Sequence, residues 1–534
     1  MKRPSNKDSA QAPCSSHDWP GPVVLPVALA VALPLAIGAC GPGKGNAGDM
    51  VRGRVERPVP AGVAPQGVIA VPAAWEPAVG AFVSWPLKVP DELVVEIASD
   101  DRLFVLAQPQ DLDAARESLL ELGISEESFE IVPTPVESPY PRDFGPHQIF
   151  DQDGTLAVLD AVFAGWPRYP AAWGEEGPGE PPFSWYAGDG DDDVSLAVAE
   201  YFTMRAYRLP AYLTGGNFLV DGQGTAFVTE AQIDENHTDA RITRDFFSLA
   251  REYAGIEKVH VLKNTEELGI QHIDTWLKPL DAERLLVARP PVGHPMEARV
   301  NASLELLAEA TNSFGRPYRI LRIDAGEMLD WDEEDEEDLE IDEDLAAELA
   351  EMWSDETGVA PYTNALILNH KILVPLFGID TDEAALATWR EVMPGYEVIG
   401  FLHDDWYSFD ALHCRTRALF DAGMLRISNV QLLPGEPELA EPRVTATIRA
   451  MSGAELLGDS LVVKHRAAGE TDWRQTPLSA SEVPHQFQAT LGDYPAGTEI
   501  DLEFYLGAAD ESGRAETYPR SGAAGPARGV IEAR

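Results

Sequence analysis

The sequence predicts an α/β domain followed by a smaller all-β sandwich, and three observations carry that reading. Between Val71 and Gly435, short apolar runs of strand length alternate with amphipathic helical stretches, which is the pattern of an α/β fold. After Pro434-Gly435-Glu436-Pro437 the helical pattern stops, and residues 438–534 alternate apolar and polar side chains as half-buried strands do. At 534 residues the chain is long enough for two or three domains with full-sized cores.

The elements follow in order. Lys2, Arg3 and Lys7 precede an apolar run from Val23 to Ala39 that ends in Leu35-Ala36-Ile37-Gly38-Ala39-Cys40. Basic residues, a short apolar stretch and small residues before a cysteine read as an export signal, residues 1–40, with a lipobox-like end. Acylation of Cys40 would tether the mature chain to a membrane, and an uncleaved anchor is the alternative. Residues 41–70 are rich in Gly, Pro, Ala and Val and read as a flexible tether. Within 71–435 the predicted strands are Arg102–Ala107, Lys258–Leu262, Arg284–Ala288, Arg319–Ile323, Lys371–Leu376 and Glu397–Phe401. Helices are expected at Asp111–Gly123, Asp239–Tyr253, Pro295–Thr311 and Asp382–Met393. No repeat is visible at the level of residue identity. In the C-terminal part, Arg443–Ile448, Ser460–His465, His485–Thr490 and Glu499–Tyr505 suit a sandwich of immunoglobulin or fibronectin type.

Two insertions interrupt the α/β region. Gly165 to Asp193 is loaded with Gly, Pro, Trp and acidic residues and reads as a long loop near a functional rim. The stretch from about 330 to 353 begins with 12 acidic side chains in 15 positions and reads as a solvated run. Its spacing lacks the order of an EF-hand loop, so no calcium site is assigned.

With 89 acidic and 40 basic residues the formal net charge is −49. Phosphates would be repelled, so nucleic acid is excluded as a partner; a cationic small molecule or basic peptide would be drawn in. The three cysteines are Cys14, Cys40 and Cys414. With the first two in the export segment, Cys414 has no disulfide partner and is either a small buried hydrophobe or a nucleophile. Four polar clusters interrupt apolar strand material: Pro141-Arg142-Asp143-Phe144-Gly145-Pro146, Thr214-Gly215-Gly216-Asn217, His272-Ile273-Asp274 and His413-Cys414. Each alone is weak, since an Arg–Asp pair suits a surface and a Gly-Gly-Asn run suits a turn. His272 and Asp274, two apart, would share one face of a strand.

Together and in this order the clusters resemble the guanidino-modifying superfamily, and within it the bacterial peptidyl-arginine deiminase and agmatine deiminase family. The resemblance runs from Ala74-Trp75-Glu76-Pro77 and Ser84-Trp85-Pro86, through Pro361-Tyr362-Thr363-Asn364-Ala365-Leu366 and Val374-Pro375-Leu376-Phe377-Gly378, to Leu412-His413-Cys414-Arg415-Thr416. It implies a five-bladed pseudo-symmetric α/β propeller with the active site at its centre. It also implies Asp143 and Asp274 as the carboxylates gripping a guanidinium, Cys414 as nucleophile, His272 as general acid–base and Asn364 as the orienting amide. Neither cofactor nor metal is implied. Gly216 and Asn217 fall at the substrate, Tyr140 stands where relatives place Trp against the substrate stem, and Thr214 stands where agmatine deiminases usually have Glu. Arg168 is the candidate for a substrate carboxylate, although a neighbouring arginine expected there is absent. His413 is expected to point away from the site as a structural residue. The substrate implied is an arginine-containing peptide or protein, with agmatine as the alternative. The rivals are a cysteine protease, whose residue order does not fit, and a non-catalytic adhesion protein.

Overall fold

The computed structural model describes residues 62–163, 190–238, 242–265, 270–328, 358–433, 441–492, 494 and 498–533. Cys40 and the export segment, most of the expected tether, Arg168 and the acidic insertion lie outside the described residues.

One local arrangement recurs through the α/β region. A short strand turns back antiparallel onto a longer one, and helix carries the chain to a third strand parallel to the second. His147–Asp151, Leu156–Val162 and Arg205–Tyr212 form one such unit around the helix Asp191–Tyr201. Leu219–Val220, Thr225–Thr229 and Lys258–Leu262 form the next, followed by Leu277–Pro279, Arg284–Arg289 and Arg319–Asp324. Leu366–Leu368, Lys371–Leu376 and Glu397–Leu402 form another. In the remaining sheet Arg417–Phe420 pairs antiparallel with Ala78–Ser84, which is parallel to Arg102–Ala107 and so, through it, to Phe129–Pro133. That last sheet joins the two ends of the α/β region.

The central strands are buried on both faces, as parallel strands covered by helices require; Leu156–Val162 is buried throughout, while edge strands such as Arg319–Asp324 are only partly covered. The helices are amphipathic. Asp91–Asp100 buries Leu93, Val94, Ile97 and Ala98 and places Asp91 and Glu92 in its first turn, where the helix dipole favours them. The helix expected at Asp239–Tyr253 starts later, at Phe246, because the Asp245 side chain accepts from Ser248 N and caps it there; Gly255 (φ +64°) ends it. A separate helix, Glu230–Thr238, precedes it.

The tether is shorter than expected. Val68–Ala70 pairs with His147–Asp151, and Gly62 N–H donates to Arg208 O at 3.3 Å. The β-branched pair Val68-Ile69 suits an edge strand despite its Gly- and Pro-rich surroundings, so residues 62–70 belong to the folded body.

Beyond Asp421 the chain enters two antiparallel sheets, one ordered Leu425–Leu433, Arg443–Ala450, Gln486–Thr490, Ser479–Ala480. The other runs Arg474–Pro477, Val462–Ala467, Thr498–Ala509, Ala515–Tyr518, with Ala527–Ala533 also on Thr498–Ala509. Val444 and Ile448 from the first meet Val463, Leu502, Phe504 and Leu506 from the second in one core. This part is pinned to the α/β region by a buried ion pair, Arg426 Nε to Glu76 Oε1 at 2.6 Å.

Candidate active site

Each of the five sheets sends one loop to the same place, and each loop lies directly ahead of that sheet's short antiparallel strand. Asp143 precedes His147–Asp151, Gly216 precedes Leu219–Val220, and His272 and Asp274 precede Leu277–Pro279. Asn364 precedes Leu366–Leu368, and Cys414 precedes Arg417–Phe420.

The contacts are direct. Gly216 N–H donates to Asp143 Oδ1 at 3.0 Å, and His272 Nδ1 lies 3.7 Å from the same oxygen. Cys414 Sγ is 3.9 Å from Asp274 Oδ2, and Asn364 Nδ2 reaches the sulfur at 3.2 Å. Asn364 Oδ1 accepts from the backbone N–H groups of His413 (2.8 Å) and Cys414 (3.2 Å), which fixes the amide so that its N–H side faces the sulfur. A Cβ on Gly216 would stand 2.7 Å from His272 Nδ1, 2.8 Å from Asp143 Oδ1 and 3.2 Å from Asp274 Oδ2. Only glycine leaves room for these three side chains to converge.

The loops are rigidly braced. Gly145 (φ +108°) ends the short helix Pro141–Phe144, and Thr363 Oγ1 donates to Asp274 O at 3.1 Å. Trp389 Nε1 donates to Tyr362 O, holding the loop of Asn364. Asn217 has both ends of its amide on Thr229, accepting from its N–H and donating to its hydroxyl. Asn217 thereby frames the Gly215–Asn217 turn. Tyr140 donates to Asp410 Oδ2 at 2.8 Å, so its hydroxyl is tied to the wall.

Three residues escaped the sequence reading. His413 does not point away: its Nδ1 sits 2.6 Å from Asp274 Oδ2, since the tight turn at Ala411–Thr416 brings neighbours onto one side. Asp410 is buried and paired with Arg415, and its charge acts on Asp143, His272 and Cys414. Glu235, on the helix Glu230–Thr238, is pushed up to about 8 by burial and then by Asp143 and Asp234. Nothing in composition or spacing marks Asp410 or Glu235, whereas the contact of His413 was excluded only by an assumption about neighbours.

Burial dominates the electrostatics. Asp143 is raised to about 7, partly offset by the Gly216 N–H, and His272 is lowered to about 4. The Cys414 thiol is pushed well up by burial and by Asp274, Asp410 and Asp143. In the free site the sulfur is thus a thiol and the imidazole is neutral. Asp274 Oδ1 and His272 Nδ1 are buried without a hydrogen-bond partner among the described residues, bonding capacity suited to a ligand rich in N–H donors. Among the described residues no group of His, Cys, Asp and Glu is arranged to hold a metal ion.

A thiol flanked by carboxylates and a neutral imidazole, at the meeting point of five α/β units, defines a hydrolase of amidine C–N bonds. The model of the Porphyromonas-type peptidyl-arginine deiminases matches residues 70–419, and the chain belongs to that family. The agmatine deiminase of Stutzerimonas stutzeri strain A1501 is 26% identical over 349 residues, covering 62% of this chain and 89% of that protein. In fold, the agmatine deiminase of Enterococcus faecalis aligns with a TM-score of 0.54 at 20% identity, over 69% of this chain and all of the other. The chemistry is deimination of a guanidino group. The two-sheet part from Leu425 onward lies beyond the matched span.

Proposed function

We propose that this chain converts arginine residues of peptides or proteins to ureido residues with release of ammonia, through a covalent bond to Cys414. The observation that carries the reading is the convergence of Asp143, His272, Asp274, Asn364 and Cys414 from four separate sheets. A guanidinium entering beside Asp143 and Asp274 adds counter-charge at carboxylates that burial disfavours, and its N–H edges suit bidentate bonds. The same positive charge favours the Cys414 thiolate, helped by the Asn364 amide N–H.

Neutral His272 takes the thiol proton while sulfur bonds to the guanidinium carbon. The C–N bond then breaks and His272 returns its proton to the departing ammonia. Water adds to the resulting thiouronium carbon, His272 accepts its proton, and the C–S bond breaks to release the ureido product. His413 holds Asp274 in place throughout.

Agmatine is the second reading, favoured by the names of the Stutzerimonas and Enterococcus relatives. Thr214, which offers no carboxylate, favours the peptide. We extend the proposal to architecture and location. The five units form the blades of a propeller, the C-terminal sheets an immunoglobulin-like sandwich, and acylated Cys40 a membrane tether outside the cytoplasm.

The test is to incubate the enzyme with agmatine, free arginine, and peptides carrying internal or C-terminal arginine, measuring ureido product and ammonia. A haloamidine should label Cys414 irreversibly, and Cys414→Ala should abolish both labelling and turnover. Ammonia release that survives in Cys414→Ala would sink the mechanism, and turnover of agmatine alone would select the second reading.

A further inference from the structure

A second polar centre lies beside the catalytic one. A cavity of about 70 Å³ is lined by apolar side chains and by Arg142, His147, Gln148, Lys278, His413 and Arg417. It shares Arg142 and His413 with the catalytic cluster but none of Asp143, His272, Asp274, Asn364 or Cys414.

Lys278 is the feature that needs a partner. Its side chain is fully buried, and its Nζ has no hydrogen-bond acceptor among the described residues. Arg417 is also buried, and its Nε is likewise without a partner, although its other nitrogens reach Arg142 O and His147 Nδ1. No carboxylate lines the cavity. The carboxylates nearest in charge, Asp143 and Asp274, are engaged with Gly216 N–H and with His413.

Three basic groups around one small space, with open N–H donors and no lining anion, call for an acceptor that also carries negative charge. Burying an ammonium without one costs several kcal/mol. Water supplies lone pairs but no charge. We propose that this cavity is a binding site for one small monovalent inorganic anion of halide or nitrate size, held by Lys278 Nζ with Arg417 and Arg142. The volume of about 70 Å³ is ample, since each ordered water needs only about 10–15 Å³ and the cavity takes one such anion together with water. Burial and Arg142 push Lys278 down from its ordinary value, and an anion beside it reverses that. Lys278 and Cys414 also interact electrostatically, so the site lies within reach of the catalytic sulfur.

The experiment uses the whole protein. Crystals soaked in sodium bromide should give an anomalous peak in this cavity within hydrogen-bond reach of Lys278 Nζ. In parallel, melting is followed in sodium chloride, nitrate and gluconate at matched ionic strength. Chloride and nitrate should raise Tm saturably by about 2–4 °C over gluconate, which is too large to enter. Lys278→Met should lose that increment. If Lys278→Met does not fold, the bromide map of the unaltered protein decides alone. A map with only waters in the cavity, or equal melting in all three salts, overturns the assignment.

Discussion

Asp143 is where the opposed demands of folding and chemistry meet in one side chain. Its carboxyl must be ionised to grip a cation, yet burial holds it near 7, against an ordinary value of 3.8. Below about pH 7 the free enzyme carries the neutral acid. We therefore expect kcat/KM for a cationic substrate to fall about tenfold per pH unit on the acid side, with the break near 7. The sign for stability is the reverse. The folded state holds this proton more tightly than the unfolded chain, so stability is lost as pH rises from about 4 through 7. Asp143→Asn should thus be inactive yet more stable than the parent at pH 8, by on the order of 1–3 kcal/mol in chemical denaturation. An Asn variant less stable at that pH would contradict the account. Asp143, Asp274, His272 and Cys414 were picked out by the family resemblance of their motifs. Asp410 and Glu235 were not, because an isolated carboxylate carries no sign of what the fold will set beside it.

At the level of elements, the site depends on short turns placed just ahead of short strands. Gly216 shows how little slack they have, since a single methyl would stand 2.7 Å from His272 Nδ1. Gly216→Ala is expected to lower kcat about 10²-fold, the usual cost of moving reacting groups by about an ångström. Near-normal turnover in Gly216→Ala would mean that the three side chains do not converge as described. Most strands and helices were readable, Lys371–Leu376 to the residue, because long apolar runs leave little choice. The helix start at Phe246 was missed because capping by Asp245 is a local bond that periodicity does not report. The repeated unit was invisible because its members share burial and geometry but no residue identity.

At the scale of the whole molecule, Glu76 and Arg426 join the α/β region to the two-sheet part across 350 positions of sequence. Arg426 also donates to Gly222 O, so both charges are buried and committed. Removing one partner leaves the other uncompensated. Glu76→Gln should cost about 3–5 kcal/mol, whereas a Glu76→Met, Arg426→Met pair should recover much of it. Calorimetry of the two variants checks this, and equal loss in both would show that packing rather than charge matters here. The net charge of −49 belongs to the same scale. It should steer a basic peptide to the site, so kcat/KM should fall with ionic strength while kcat holds. A salt-independent kcat/KM would reduce the charge to surface solvation.

Residue order alone predicted the α/β class and a later all-strand part, whose first strand, Leu425–Leu433, in fact begins ahead of Pro437, and the resemblance of its motifs named Asp143, His272, Asp274, Asn364 and Cys414. Those features reside in periodicity and in side-chain chemistry, which a linear string displays. Tertiary structure decided that five loops from five sheets share one point, that His413 turns inward, and that Lys278 lies buried without an acceptor. Desolvation and charge repulsion depend on which atoms become neighbours across hundreds of positions, and only the folded chain determines that.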